Sequence, residues 1–181
     1  MRIPGPDDAP HGPAPARTRV VPPGAGETLH VLVDSATVKV GVQDSAGTLS
    51  VIEVALAPGG GVPDHAHARD DETLYVLEGS LDVRVGAERL ALGAGGCAFA
   101  PRGMPHGFAN PGFAPARLLL ISSPAVDAQR AFLELAAGFA VGAPAGRASP
   151  ARADAHALTT AFRALAASRD VLLEPPARDA G

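Results

Sequence analysis

From Glu27 to Ile121 the chain is a succession of short β-branched and aliphatic runs cut by turn residues, and this punctuation constrains the fold more than any other feature. The runs are Thr28–Val33, Thr37–Val42, Leu49–Leu56, Glu72–Leu77, Leu81–Val85, Arg89–Leu92, Cys97–Ala100, His106–Ala109 and Arg117–Ile121. Between them stand Asp44-Ser45-Ala46-Gly47, Pro58-Gly59-Gly60-Gly61, Glu78-Gly79-Ser80, Gly86-Ala87 and Asn110-Pro111-Gly112. Strands of this length, joined by glycine-rich turns at regular spacing, predict an all-β sandwich or barrel. No helix-period stretch interrupts them, which argues against a parallel βαβ sheet.

The flanks differ. Residues 1–22 are dense in Pro, Gly and Ala, with little to pack, and read as a disordered tail. The barrel is assigned to residues 23–122. Ser123-Pro124 has the form of a helix start, with Phe132, Leu135 and Phe139 following at helical spacing. Ser149-Pro150 repeats the signal ahead of Ala155, Leu158, Phe162 and Leu165. Residues 123–175 are therefore expected to form a short two-helix extension, with Val171-Leu172-Leu173 as one last strand and 176–181 loose.

Composition removes several classes of function. The net charge is −4 and aromatic residues are only 4%, with no Trp. Neither a basic face nor stacking platforms for nucleic acid are offered, and an anionic membrane surface is equally poorly matched. The longest aliphatic run, Leu118-Leu119-Leu120-Ile121, is far too short to span a bilayer. The first residues lack the apolar stretch of a secretory leader, so a cytoplasmic location is the expectation. Cys97 is the single cysteine, which excludes an internal disulfide and a cysteine-built zinc site. It is expected to be an inert buried thiol.

Chemistry concentrates in two motifs: Gly59-x5-His65-x-His67-x4-Glu72-x6-Gly79, and Gly95-x5-Pro101-x-Gly103-x2-His106-x3-Asn110. On a strand, His65 and His67 point to one face. Glu72 opens the following strand and shares its face with Leu74 and Val76. His106 opens a later strand and shares its face with Phe108. Three imidazoles and one carboxylate converging inside a barrel suit one divalent transition metal: Ni, Mn, Fe, Co, Cu or Zn. A single carboxylate against M²⁺ leaves the site at about +1, which favours an anionic oxygen from a substrate. Leu74, Val76 and Phe108 would line a greasy pocket suited to a small molecule.

These spacings resemble those of the cupin superfamily in its single-domain form, each motif occurring once. A looser similarity, over about residues 23 to 175, is to small bacterial cupins of the quercetin 2,3-dioxygenase-like group. It runs through Pro23-Gly24-Ala25-Gly26-Glu27-Thr28-Leu29-His30-Val31-Leu32 and Tyr75-Val76-Leu77-Glu78-Gly79. The resemblance implies an antiparallel jelly-roll barrel of six to eight strands, with His65, His67, Glu72 and His106 holding the metal. It further implies a dioxygenase acting on a flavonol-like or other enolisable aromatic or polyketide compound, with Glu72 taking the substrate's proton. Two positions depart from the group: Leu74 is aliphatic where an aromatic is common, and Ala68 supplies no third neighbouring histidine.

Alternatives remain at the level of residues. Glu72 is either a ligand only or also a base. The reaction is either oxygen-dependent or a cyclase, isomerase or lyase step using the metal as a Lewis acid. A non-catalytic ligand-binding barrel is the third reading. Tyr75 and Leu77 fall on the face opposite Glu72, where packing or a homodimer interface is expected. Glu53 reads as solvated or ion-paired, Asp70-Asp71 as a solvated loop, and Asn110 as a turn-stabilising side chain.

Overall fold

Period-two burial sets the architecture. In the segment Ser50–Leu56 every second side chain is buried, and the same alternation governs Ala116–Ser123. Each strand thus offers one apolar face, and two such faces closing on each other bury it. The computed structural model describes residues 15–31, 34–126, 130, 133 and 171–172. Its strands are β1 (Glu27–Val31), β2 (Asp34–Val40), β3 (Ser50–Leu56), β4 (Gly61–His67), β5 (Asp71–Glu78), β6 (Ser80–Val85), β7 (Glu88–Gly93), β8 (Cys97–Ala100), β9 (His106–Ala109), β10 (Ala116–Ser123) and β11 (Val171–Leu172). They form two antiparallel sheets, ordered β1-β2-β3-β10-β5-β8 and β11-β4-β9-β6-β7.

Ile52, Val54, Leu56, Leu74, Val76, Leu81, Val83, Phe108, Leu118 and Leu120 fill the space between the sheets. Truncating one of the large aliphatics, such as Leu118→Ala, costs about 2–5 kcal/mol on the usual scale for buried leucines. The β5–β6 connection is a single residue, Gly79, with φ of +79°. A side chain there would be strained and would also press on Ala116.

The strand that carries His65 and His67 is present over Gly61–His67, although Gly61-Val62-Pro63-Asp64 carries little β propensity. β4 forms because β9 pairs with it, Gly61 against Ala109 and Val62 against Phe108. The register shifts between Val62 and His65, where Pro63 cannot donate to the ladder. Ser123-Pro124 does not start a helix. β10 runs through Ser123, whose hydroxyl donates to the Thr48 carbonyl, and residues 124–126 are not helical, whereas Arg130 and Leu133 are. Asp70 is not solvated: it is 1% exposed and accepts the Val126 amide at 3.0 Å.

Cys97 is exposed, not buried. It pairs with the outward-facing Tyr75, while Ala98 and Ala100 take the inner face of β8. The expected last strand is present as β11, against Ala66 and His67. The second helix, expected from Ser149-Pro150, lies outside the described residues, as does the stripe Phe132, Leu135 and Phe139. Among the described residues no helix is long and apolar enough to cross a membrane.

Candidate metal centre

Both sheets contribute to one cluster at the end of the barrel interior. β4 supplies His65 and His67, β9 supplies His106 directly opposite His65, and β5 of the other sheet supplies Glu72. All four are buried, between 3% and 6% exposed. Their candidate ligand atoms lie within 4.8 Å of one another. His65 Nε2 is 3.2 Å from His67 Nε2. The two Glu72 oxygens stand 3.3 Å from His67 Nε2 and 3.3 Å from His106 Nε2.

Those separations fit a metal. Ligand atoms about 2.0–2.2 Å from a common ion stand roughly 2.8–3.6 Å apart at tetrahedral or adjacent octahedral positions. The hydrogen-bond chemistry fits as well. His65 Nδ1 lies 2.9 Å from the Pro63 carbonyl and His106 Nδ1 lies 2.9 Å from the Met104 carbonyl. A carbonyl only accepts, so both Nδ1 atoms carry hydrogen, and both neutral rings present an Nε2 lone pair to the centre. Two carboxylate oxygens face the same point. His106 Nε2 is buried without an aligned hydrogen bond. A buried concentration of acceptors is costly unless a cation takes the lone pairs.

The electrostatics of the protein without metal agree. Burial, reinforced by His106 and His67, pushes His65 down to about 3, so it stays neutral. Burial also works against an ionised Glu72, but the adjoining His106 and His67 overcome it and hold the carboxyl well below its usual range. Burial opposes charging of His106 too, yet the Glu72 carboxylate raises it above the ordinary histidine value. The carboxylate thereby makes the His106 ring more ready than an ordinary imidazole to take a proton when no cation is present.

Leu74, Val76 and Phe108 lie on the inner faces of β5 and β9 and are packed into the core. Glu53 sits on the outer face, 3.0 Å from Lys39 and also paired with Arg117. Asn110 is buried and ties the 110–114 turn, donating to the carbonyls of Leu56, Ala57 and Ala114 and accepting from Gly112. Sequence reasoning missed Ser122, whose hydroxyl lies 3.5 Å from Glu72 Oε2, and Ser50 beside it. The period-two count from Leu118 and Leu120, and from Ile52 and Val54, already placed both on the inner face. The Pro63 and Met104 carbonyls carried no sequence signal, because any residue supplies one.

Residues 52–122 match the cupin domain family. With both sheets, both motifs and the four-residue cluster in place, the matched part of the chain is a cupin domain. Over 80 residues it is 42% identical to the tetracenomycin polyketide synthase protein TcmJ of Streptomyces glaucescens, covering 44% of this chain and 52% of that protein. The chain therefore spans about half the length of the curated relative it matches. An RmlC-like cupin from Shewanella frigidimarina superposes with a TM-score of 0.53 at 23% identity, covering 61% of this chain and 96% of that one. The polyketide cyclase RemF from Streptomyces resistomycificus gives 0.51 at 23%, covering 59% and 80%. At that identity these two likenesses speak to the fold alone.

Proposed function

We propose that this protein is a metal-dependent dioxygenase acting on an enolisable aromatic or polyketide-type small molecule, with the metal held by His65, His67, Glu72 and His106. The observation that carries the reading is the buried cluster of lone pairs within 4.8 Å. When bound, a divalent metal supplies Lewis acidity toward a substrate oxygen. The chain's own residues do the rest. The Pro63 and Met104 carbonyls fix the ring orientation of His65 and His106. Glu72, anionic at neutral pH, accepts the proton of a substrate hydroxyl held at the site. Leu74, Val76 and Phe108, packed into the core on the same inner faces as Glu72 and His106, give the site apolar surroundings that exclude water.

The stretch that is 42% identical to a polyketide synthase protein favours a second reading, an oxygen-independent cyclase, isomerase or lyase on the same substrate class. An oxygen electrode separates them. Protein loaded in turn with Mn²⁺, Fe²⁺, Co²⁺, Ni²⁺, Cu²⁺ and Zn²⁺ is given a panel of flavonols and hydroxylated polycyclic phenolics. Metal-dependent oxygen uptake that falls by about 10² to 10⁴ in Glu72→Gln supports the dioxygenase and the base role together. Product formed without oxygen uptake establishes the second reading. Undiminished turnover in Glu72→Gln removes the base role.

A further inference from the structure

Inward-facing residues of the six-stranded sheet are apolar along most of the barrel: Ile52, Val54 and Leu56 on β3, Leu118 and Leu120 on β10, Leu74 and Val76 on β5. At one level this changes. Ser122 on β10 is paired across the ladder with Ser50 on β3 at one side and with Glu72 on β5 at the other. Three polar side chains therefore stand in a row across three strands, at the level of the histidine cluster. Ser50 is 0% exposed and Ser122 1% exposed. The Ser122 hydroxyl lies 3.5 Å from Glu72 Oε2, and the Ser50 hydroxyl is buried with no hydrogen-bond partner among the described residues. An unsatisfied buried hydroxyl costs about 1–3 kcal/mol, so alanine would be the cheaper residue at position 50 if stability alone mattered.

We infer that Ser50 and Ser122 are positioning residues for Glu72. The inference rests on the metal-site reading above and deepens it. Ser122 donates to Glu72 Oε2. Ser50, whose Cβ stands about 4.5–5.5 Å from that of Ser122 by ladder geometry, donates to the Ser122 oxygen through one bound water. The Ser122 hydrogen is thereby turned toward the carboxylate. The row fixes one carboxylate oxygen as a hydrogen-bond acceptor and leaves Oε1, on the His106 side, for the metal or for a substrate proton. Neither serine touches the metal or the substrate; both act through Glu72.

The probe is Co²⁺ alone, titrated into metal-free protein and followed by visible absorbance. Ser122→Ala should weaken Co²⁺ binding by about two- to tenfold, the range for one lost hydrogen bond, and should alter the ligand-field spectrum. Ser122→Thr, which keeps the hydroxyl, should restore both. Ser50→Ala should act in the same direction, less strongly, without lowering the thermal midpoint of the metal-free protein. A double-mutant cycle is decisive. In a Glu72→Ala background, Ser122→Ala should change neither affinity nor spectrum. Normal Co²⁺ uptake with unchanged affinity and spectrum in Ser122→Ala overturns the inference while leaving the metal site standing. An equal Ser122→Ala effect with and without Glu72 also overturns it, because the effect would then not run through the carboxylate. Wild-type protein that takes up no Co²⁺ overturns the metal-site reading, and the positioning role with it.

Discussion

A divalent metal should tie the two sheets together, and the size of the effect can be estimated. Three ligands sit on the β4–β9 side and Glu72 on β5 of the opposite sheet, so the bound ion spans the interior of the barrel. The unfolded chain has no such arrangement. A ligand bound by the folded state alone stabilises it by about 2.7 kcal/mol at a hundredfold excess over its dissociation constant. For a chain of this size each kcal/mol moves the thermal midpoint by about 2–4 °C, giving a rise of about 5–11 °C. Scanning calorimetry of chelator-stripped protein, with and without Mn²⁺, Co²⁺, Ni²⁺ or Zn²⁺, measures this. His106→Gln removes one of three nitrogens and should lose most of the rise. Glu72→Gln retains three histidines, a sufficient ligand set, and should keep a reduced rise. If no metal moves the wild-type midpoint, or if His106→Gln rises as far as wild type, the cluster is not a metal site.

Acid should weaken the metal-free protein through His65. Its folded value of about 3 lies below the unfolded 6.5, so the unfolded chain binds the extra proton. Stability is complete above pH 6.5 and is lost as the pH falls toward 3, by up to about 1.4 kcal/mol per pH unit. His106, raised above 6.5, acts in the opposite sense, contributing below that pH and fading as the pH rises. Urea melts at pH 7, 5 and 4 should show the acid loss, and His65→Gln should flatten it. Asn110→Ala should cost about 1–3 kcal/mol in the same assay, because the carbonyls of Leu56, Ala57 and Ala114 lose their donor. Tyr75, Leu77 and Phe99, 41%, 36% and 57% exposed on the outer face of the six-stranded sheet, are expected to be covered in a homodimer. Light scattering at tens of micromolar should return twice the chain mass, and Tyr75→Arg should return one; a monomeric wild type removes this expectation.

The members of the buried cluster were legible in the sequence because their facing depends on local geometry. Two residues apart on a strand is one face, so His65 and His67 had to point together, and Glu72 had to share the inner face with Leu74 and Val76. Turn residues fixed where most strands end for the same reason: Gly79 and the Asn110-Pro111-Gly112 corner act within a few bonds of their own backbone. What no local rule contains was decided by the closing of the barrel. β4 is a strand because β9 and β11 pair with it, not because Gly61-Val62-Pro63-Asp64 prefers to be one. Ser123 stays in β10 and Asp70 is buried because residues distant in sequence, Thr48 and Val126, take up their hydrogen bonds. Cys97 faces outward because its partner Tyr75 does. The convergence of His106 and Glu72 on His67, and the serine row behind Glu72, come from long-range register between strands. A one-residue slip in that register would turn every one of these side chains to the other face, and only the burial of the whole interior fixes it.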